Sequence, residues 1–130
     1  MLKAKAAFSG FSVDDLAKAQ KFYEEILGVK VEDEGGMGLK LHLPNGGTVF
    51  VYSKEDHQPA TFTILNFAVD DIDEAVKSLK DQGITFEQYD GMTDEDGIAR
   101  GLAAGRGPDI AWFKDPAGNI LSVLQDDKSE

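Results

Sequence analysis

Hydrophobic and polar residues alternate with a period of two along several stretches of this chain and recur at helical spacing along two others. Ala6–Val13 reads as a strand with Phe11 and Val13 on one face and Phe8, Gly10 and Ser12 on the other. Leu16, Ala19, Phe22, Tyr23, Ile26 and Leu27 then form an apolar stripe, which predicts a helix from about Asp15 to Leu27, capped by Asp14 and closed by Gly28. Val29–Glu32, Leu39–Leu43 and Thr48–Ser53 read as strands, the second with its leucines on one face and Lys40 and His42 on the other. Lys54–Thr61 is a polar, proline-containing connector.

The second half repeats the pattern. Phe62–Val69 alternates, with Leu65, Phe67 and Val69 on one side and Phe62, Ile64, Asn66 and Ala68 on the other. Asp70 or Asp71 caps a helix whose buried stripe is Ile72, Ala75, Val76 and Leu79, with Gly83 at its end. Ile84–Tyr89 reads as a strand. A long glycine-rich loop, Asp90–Gly107, follows, with Gly97–Ala103 as a possible strand inside it. Ile110–Phe113 and Ile120–Gln125 flank the turn cluster Asp115-Pro116-Ala117-Gly118-Asn119 as a hairpin.

Two echoes tie the halves together. Val13-Asp14-Asp15-Leu16 with Ala19 matches Val69-Asp70-Asp71-Ile72 with Ala75, and the Pro44–Gly47 hairpin matches the one at Pro116. Each half therefore reads strand, helix, then about three strands. The doubled βαβββ module, the "VDDL…FY…LG" start and the "F-x-DPxGN" hairpin resemble the glyoxalase / bleomycin-resistance / extradiol-dioxygenase superfamily, also called vicinal oxygen chelate, over about Ala6 to Gln125. The resemblance implies an α+β domain spanning 1–130, with module one at about 4–54 and module two at about 61–126. Their strands would form a curved mixed sheet around a ligand cleft, with the helices on the convex face. It also implies a homodimer.

Composition narrows the function. The chain has 130 residues, 42% of them hydrophobic, enough for a core, and no cysteine, which excludes disulfides, thiolate metal sites and a thiol nucleophile. A net charge of −11 argues against nucleic acid and anionic membranes as partners. The acidity serves solubility or attracts a cationic ligand. No apolar run has the length of a membrane span, and the first residues lack a signal-peptide core, so a cytoplasmic location is expected.

Metal-dependent members of the resembled family carry two ligands per module. One lies five residues before the Val of the "VDDL" segment, the other six after the turn Pro. Here those positions hold Phe8 and Phe50, then Ile64 and Ser122. Phenyl and sec-butyl groups offer no lone pair to a cation, and one hydroxyl is a poor ligand alone. Shifting the register by one residue in either direction brings in no better donor. No metal and no other cofactor is expected.

His42 is a candidate base or polar anchor, and His57 is expected in solvent. The acidic pairs at the helix starts are explained by the helix dipole. Strand alternation with the family cleft gives a ligand-facing set of Phe8, Phe50, Tyr52, Phe62, Ile64, Asn66, Trp112, Ser122 and Leu124, largely aromatic with a few polar anchors. Arg100 or Arg106 can serve as an anion anchor. The expected function is a binding module that holds an apolar or aromatic small molecule in a metal-free cleft. The alternative is a lyase or isomerase of the same family, cofactor-free or with an atypical metal site, using His42, Tyr52 or Arg100. No catalytic residue is assigned.

Overall fold

The computed structural model describes residues 1–127. The chain divides into two compact units, Met1–Pro59 and the residues from Ala60 onward. In the first unit β1 (Ser9–Val13) is followed by α1 (Leu16–Lys21), β2 (Lys30–Asp33), β3 (Leu39–His42) and β4 (Thr48–Ser53). The strands form a four-stranded sheet in the order β1-β4-β3-β2, with β1 parallel to β4 and the other pairs antiparallel. The second unit holds β5 (Thr63–Ala68), α2 (Ile72–Asp81), β6 (Ile98–Arg100), α3 (Gly101–Ala104), β7 (Asp109–Lys114) and β8 (Ile120–Gln125). Its sheet runs β5-β8-β7-β6, again with one parallel pair, β5 with β8. The two units share one topology, as the sequence repeat implies.

Each core lies between a sheet and its helix. Val13, Leu39, Leu41, Val49 and Val51 are buried with Ala19, Phe22 and Tyr23 in the first unit. Ile98, Ala111, Phe113, Leu121 and Val123 are buried with Ile72, Val76 and Leu79 in the second. These are the apolar phases of the alternating strands and the apolar stripes of the helices.

The first helix departs from its expected form. It is capped by Asp15, whose side chain accepts from the Lys18 N–H, and not by Asp14. Beyond Lys21 the backbone widens into a π-helical turn, Phe22–Ile26, in which the Leu27 N–H donates to the Phe22 carbonyl. The wider turn buries the adjacent Phe22 and Tyr23 together, edge to face with centroids 5.2 Å apart. In α2 the cap is Asp71, accepting from the Glu74 N–H.

The expected strand at Ile84–Tyr89 is reduced to a single bridge, Phe86 to Phe113, and one further bond from the Glu87 N–H to the Trp112 carbonyl. At Tyr89 the backbone turns away instead of continuing beside β7. Its N–H donates to the Thr93 hydroxyl, and its carbonyl accepts from the Met92 and Thr93 N–H groups. The loop expected over Asp90–Gly107 contains β6 and the short α3.

Candidate functional site

Strand parity sets the face of each sheet opposite its helix. In the second unit the register aligns Asn66 with Ser122 and Ser122 with Trp112, and Leu124 with Ile110. These residues share one face, because partners across a ladder project to the same side. Ser122 is fully buried and donates from its hydroxyl to Asn66 Oδ1 at 2.5 Å. Ile64 falls where the β5–β8 register shifts, between Thr63 and Leu65. Phe62 lies just before β5 and is 67% exposed.

Beside Trp112 lies a depression of about 430 Å³, with Ile110, Ala99, Met92, Pro108, Arg100 and Arg106 in its wall. Tyr89 meets the Trp112 ring edge to face at 5.3 Å and fixes its orientation. Of the expected site residues, Trp112, Arg100 and Arg106 line this depression. Met92, Ala99, Pro108 and Ile110 were missed. Ile110 was legible, since it lies two positions from Trp112 on the same strand face. The others sit on a loop whose course has no periodic signal.

The loop is shaped by a close approach at Gly101. A Cβ there would lie 2.3 Å from the Pro108 carbonyl oxygen and 2.8 Å from that of Gly107, so only glycine lets the two backbone segments touch. Asp94 ties the preceding turn, accepting from the Asp96 and Ile98 N–H groups at 2.9 and 3.0 Å.

Arg100 has a different role from the anion anchor expected of it. Its guanidinium is paired with Asp73 at 2.7 Å and Asp94 at 3.1 Å, with Asp109 at 3.8 Å. It joins the start of α2, the 94–98 turn and β7, and its positive charge is already countered. The Arg100 hydrogen bonds hold the Asp73 carboxyl below its usual range. At Asp94 burial pushes upward, but the Ile98 N–H, the Arg100 guanidinium and the Asp96 N–H outweigh it and leave the carboxyl low as well. Stability from groups depressed in this way is fully present above the ordinary Asp value of 3.8 and is lost as pH falls through the lower folded values. Arg100→Gln is therefore expected to lower stability near neutral pH by about 0.5–1 kcal/mol, a figure already reduced for solvent screening. The difference between variant and parent should vanish in acid, as followed by thermal melts across pH. A difference that persists at the acid end contradicts the clamp.

In the first unit Phe8, Thr48, Phe50, Lys40 and Glu34 line a separate depression of about 390 Å³. Phe50 and Tyr52 stack at 6.0 Å with their planes 21° apart, and Phe8 is 69% exposed. Lys40 pairs with Glu34 at 3.5 Å. His42 is hydrogen-bonded to Glu32, which lowers the Glu32 pKa, and neither residue lines this depression. His57, expected in solvent, is half-buried and shares a 2.7 Å hydrogen bond with the Ser12 hydroxyl, which fastens the connector to β1.

The family model that matches, over residues 7–123, is that of the Glyoxalase/Bleomycin resistance protein/Dioxygenase superfamily. The chain belongs to this superfamily. Among solved structures it is similar to a superfamily member from Sphaerobacter thermophilus, with 22% identity, TM-score 0.67, and coverage of 93% of this chain and 98% of that one. It is also similar to the fosfomycin resistance protein FosX from Listeria monocytogenes, with 14% identity, TM-score 0.69, and coverage of 97% and 96%. An integron cassette protein from V. cholerae matches at 23% identity and TM-score 0.61, covering 96% and 98%. Identities this low carry the fold. No curated protein matches the chain.

The superfamily places a divalent metal in its metal-dependent members, and the residues at the corresponding positions do not fit one. Phe8, Phe50 and Ile64 offer only hydrocarbon, and the buried Ser122 hydroxyl is committed to Asn66. Among the described residues, no three His, Asp or Glu side chains gather as a ligand set. Nor is any helix among them long and apolar enough to cross a membrane.

Proposed function

We propose that this superfamily member binds an apolar, aromatic small molecule without a metal, and that it works as a homodimer in the cytoplasm. The observation that carries the reading is the depression around Trp112, with Ile110, Met92 and Pro108 in its wall and the indole held by Tyr89. An apolar wall with a rigid aromatic ring suits a planar ligand, which gains both area burial and ring stacking. The hydrocarbon side chains at the positions where relatives hold a metal support a metal-free mode.

A catalytic reading draws on the His42–Glu32 pair. It is the weaker one, because neither residue lines either depression.

Trp112→Leu tests the binding reading. The substitution keeps an apolar side chain but removes the ring, and is expected to weaken planar aromatic ligands about tenfold by calorimetry. Unchanged affinity overturns the assignment.

A further inference from the structure

The lining of the depression around Trp112 differs in charge from the chain as a whole. The protein carries a net charge of −11, with 24 acidic residues against 13 Lys and Arg. Yet no carboxylate lines this depression, and its two charged residues are both arginines. Arg100 is countered by Asp73, Asp94 and Asp109. Asp109 is also engaged at its other oxygen, accepting from the Leu102 N–H at 3.0 Å. Arg106 differs. It is exposed, it lines the depression, and its guanidinium has no carboxylate partner among the described residues.

The backbone presents Arg106 at this wall. The chain leaves α3 through Gly105 in the left-handed region (φ 66°), and the Arg106 N–H donates to the Gly101 carbonyl at 2.9 Å. Gly107 (φ 119°) then returns the chain to Pro108, so Arg106 stands at the tip of a tight bend. An unpaired guanidinium costs little in water. Beside an apolar wall it offers two parallel N–H donors to a planar anion.

We propose that the ligand of this depression is a planar aromatic anion, an aromatic carboxylate, whose ring lies against Trp112 and whose carboxylate is held by Arg106. The proposal rests on the binding reading given above and sharpens it. It also takes the anion-anchor role offered for Arg100 or Arg106 over the cationic ligand that overall acidity left open. Distant surface charge is screened within about 10 Å at ordinary ionic strength, and Asp73, Asp94 and Asp109 are engaged with Arg100, which leaves Arg106 as the guanidinium at the wall to meet an anion.

The test compares three compounds with one ring system, 2-naphthoate, 2-naphthamide and 2-naphthylmethylammonium, by calorimetry and by the fluorescence of Trp112, the chain's one tryptophan. The carboxylate is expected to bind at least about tenfold more tightly than the amide, and the ammonium more weakly than both. Arg106→Gln should abolish the preference for the carboxylate and leave the amide unchanged, and added salt should narrow the preference in the parent protein. Equal affinity of carboxylate and amide, or a preference that survives Arg106→Gln, overturns the anion assignment while the aromatic site stands. Failure of all three compounds to bind overturns the binding reading itself. Inorganic phosphate and 2-naphthyl phosphate complete the series. Binding of inorganic phosphate as tight as that of the naphthoate would overturn the role given to the ring.

Discussion

Phe113→Ala is expected to remove about 3–5 kcal/mol of stability, the range for deleting a fully buried aromatic ring. Phe113 lies on β7 between Leu121 on β8 and Phe86, whose ring is 5.5 Å away, and has no exposed surface. The loss has two parts. The ring's transfer out of water is forfeited, and the space left behind is bounded by β7, β8 and α2, which cannot all collapse into it. Phe86 would be the most affected neighbour, since Phe113 is its one bridge partner and anchors the segment entering the Tyr89 turn. Trp112 supplies the internal control. It is the preceding residue, is larger, and projects to the other face, where it is only half-buried. Trp112→Ala is therefore expected to cost far less, about 1–2 kcal/mol. Urea unfolding of both variants checks the pair. Equal losses at 112 and 113 would contradict the parity of β7, and with it the placement of Trp112 in the site.

The second large effect is expected at the turn between β7 and β8. Asp115 is buried and accepts from the Ala117 N–H at 3.0 Å, the Asn119 N–H at 2.9 Å and the Asn119 side-chain amide at 3.1 Å. Asn119 is also buried, and its Oδ1 accepts from the Ala60 N–H at 3.4 Å, which ties the turn to the start of the second unit. Asp115→Ala withdraws these acceptor contacts from a buried site. The expected cost is about 2–4 kcal/mol, because hydrogen bonds to charged groups are the stronger ones and buried donors are costly to strand. Asp115→Asn keeps one acceptor oxygen and should lose roughly half as much. The first unit shows why the hairpin should still form. Its equivalent turn places Leu43 where Asp115 stands, and the backbone closes in the same way. Leu43 N–H donates to the Gly47 carbonyl at 2.8 Å and Gly46 N–H to the Leu43 carbonyl at 3.0 Å. The matching bonds at 115–119 are both 2.9 Å. The carboxylate therefore adds stability to a turn that backbone geometry already permits, and the variant should be folded but less stable by thermal denaturation. A change below about 0.5 kcal/mol would contradict the account.

The fold was legible because two independent periodicities agreed twice. Alternation placed β4 and β8 at their observed bounds, and helical spacing found the buried stripe of α2. The repeat then made each half a check on the other. Helix starts were less legible, because neighbouring side chains compete for the same backbone groups. Asp14 and Asp15 are chemically equal as caps, and the choice of Asp15 depends on which residue has the extended backbone. The π-helical turn left no mark, because Phe22 and Tyr23 fit the stripe of an ordinary helix as well. The strand at Ile84–Tyr89 was cut short by a local side-chain bond. Thr93 takes the Tyr89 N–H that a ladder would need, and a residue four positions on is invisible to alternation.

Site legibility followed the same division. Trp112 and Ile110 are placed by strand parity alone. Arg100 was seen as a cation in a loop, but its three carboxylate partners come from α2, the 94–98 turn and β7, and only folding brings them together. The contrast between Arg100 and Arg106, which has no carboxylate partner among the described residues, is likewise a property of the structure.

The most direct test of the central claim is a backbone and side-chain NMR titration of the protein with 2-naphthoate. The account predicts saturable shift changes centred on the Trp112 indole N–H, Met92, Ala99, Ala104 and Ile110, with Arg106 among them. Changes confined to Phe8, Thr48 and Phe50, or the absence of any saturable change, would contradict it.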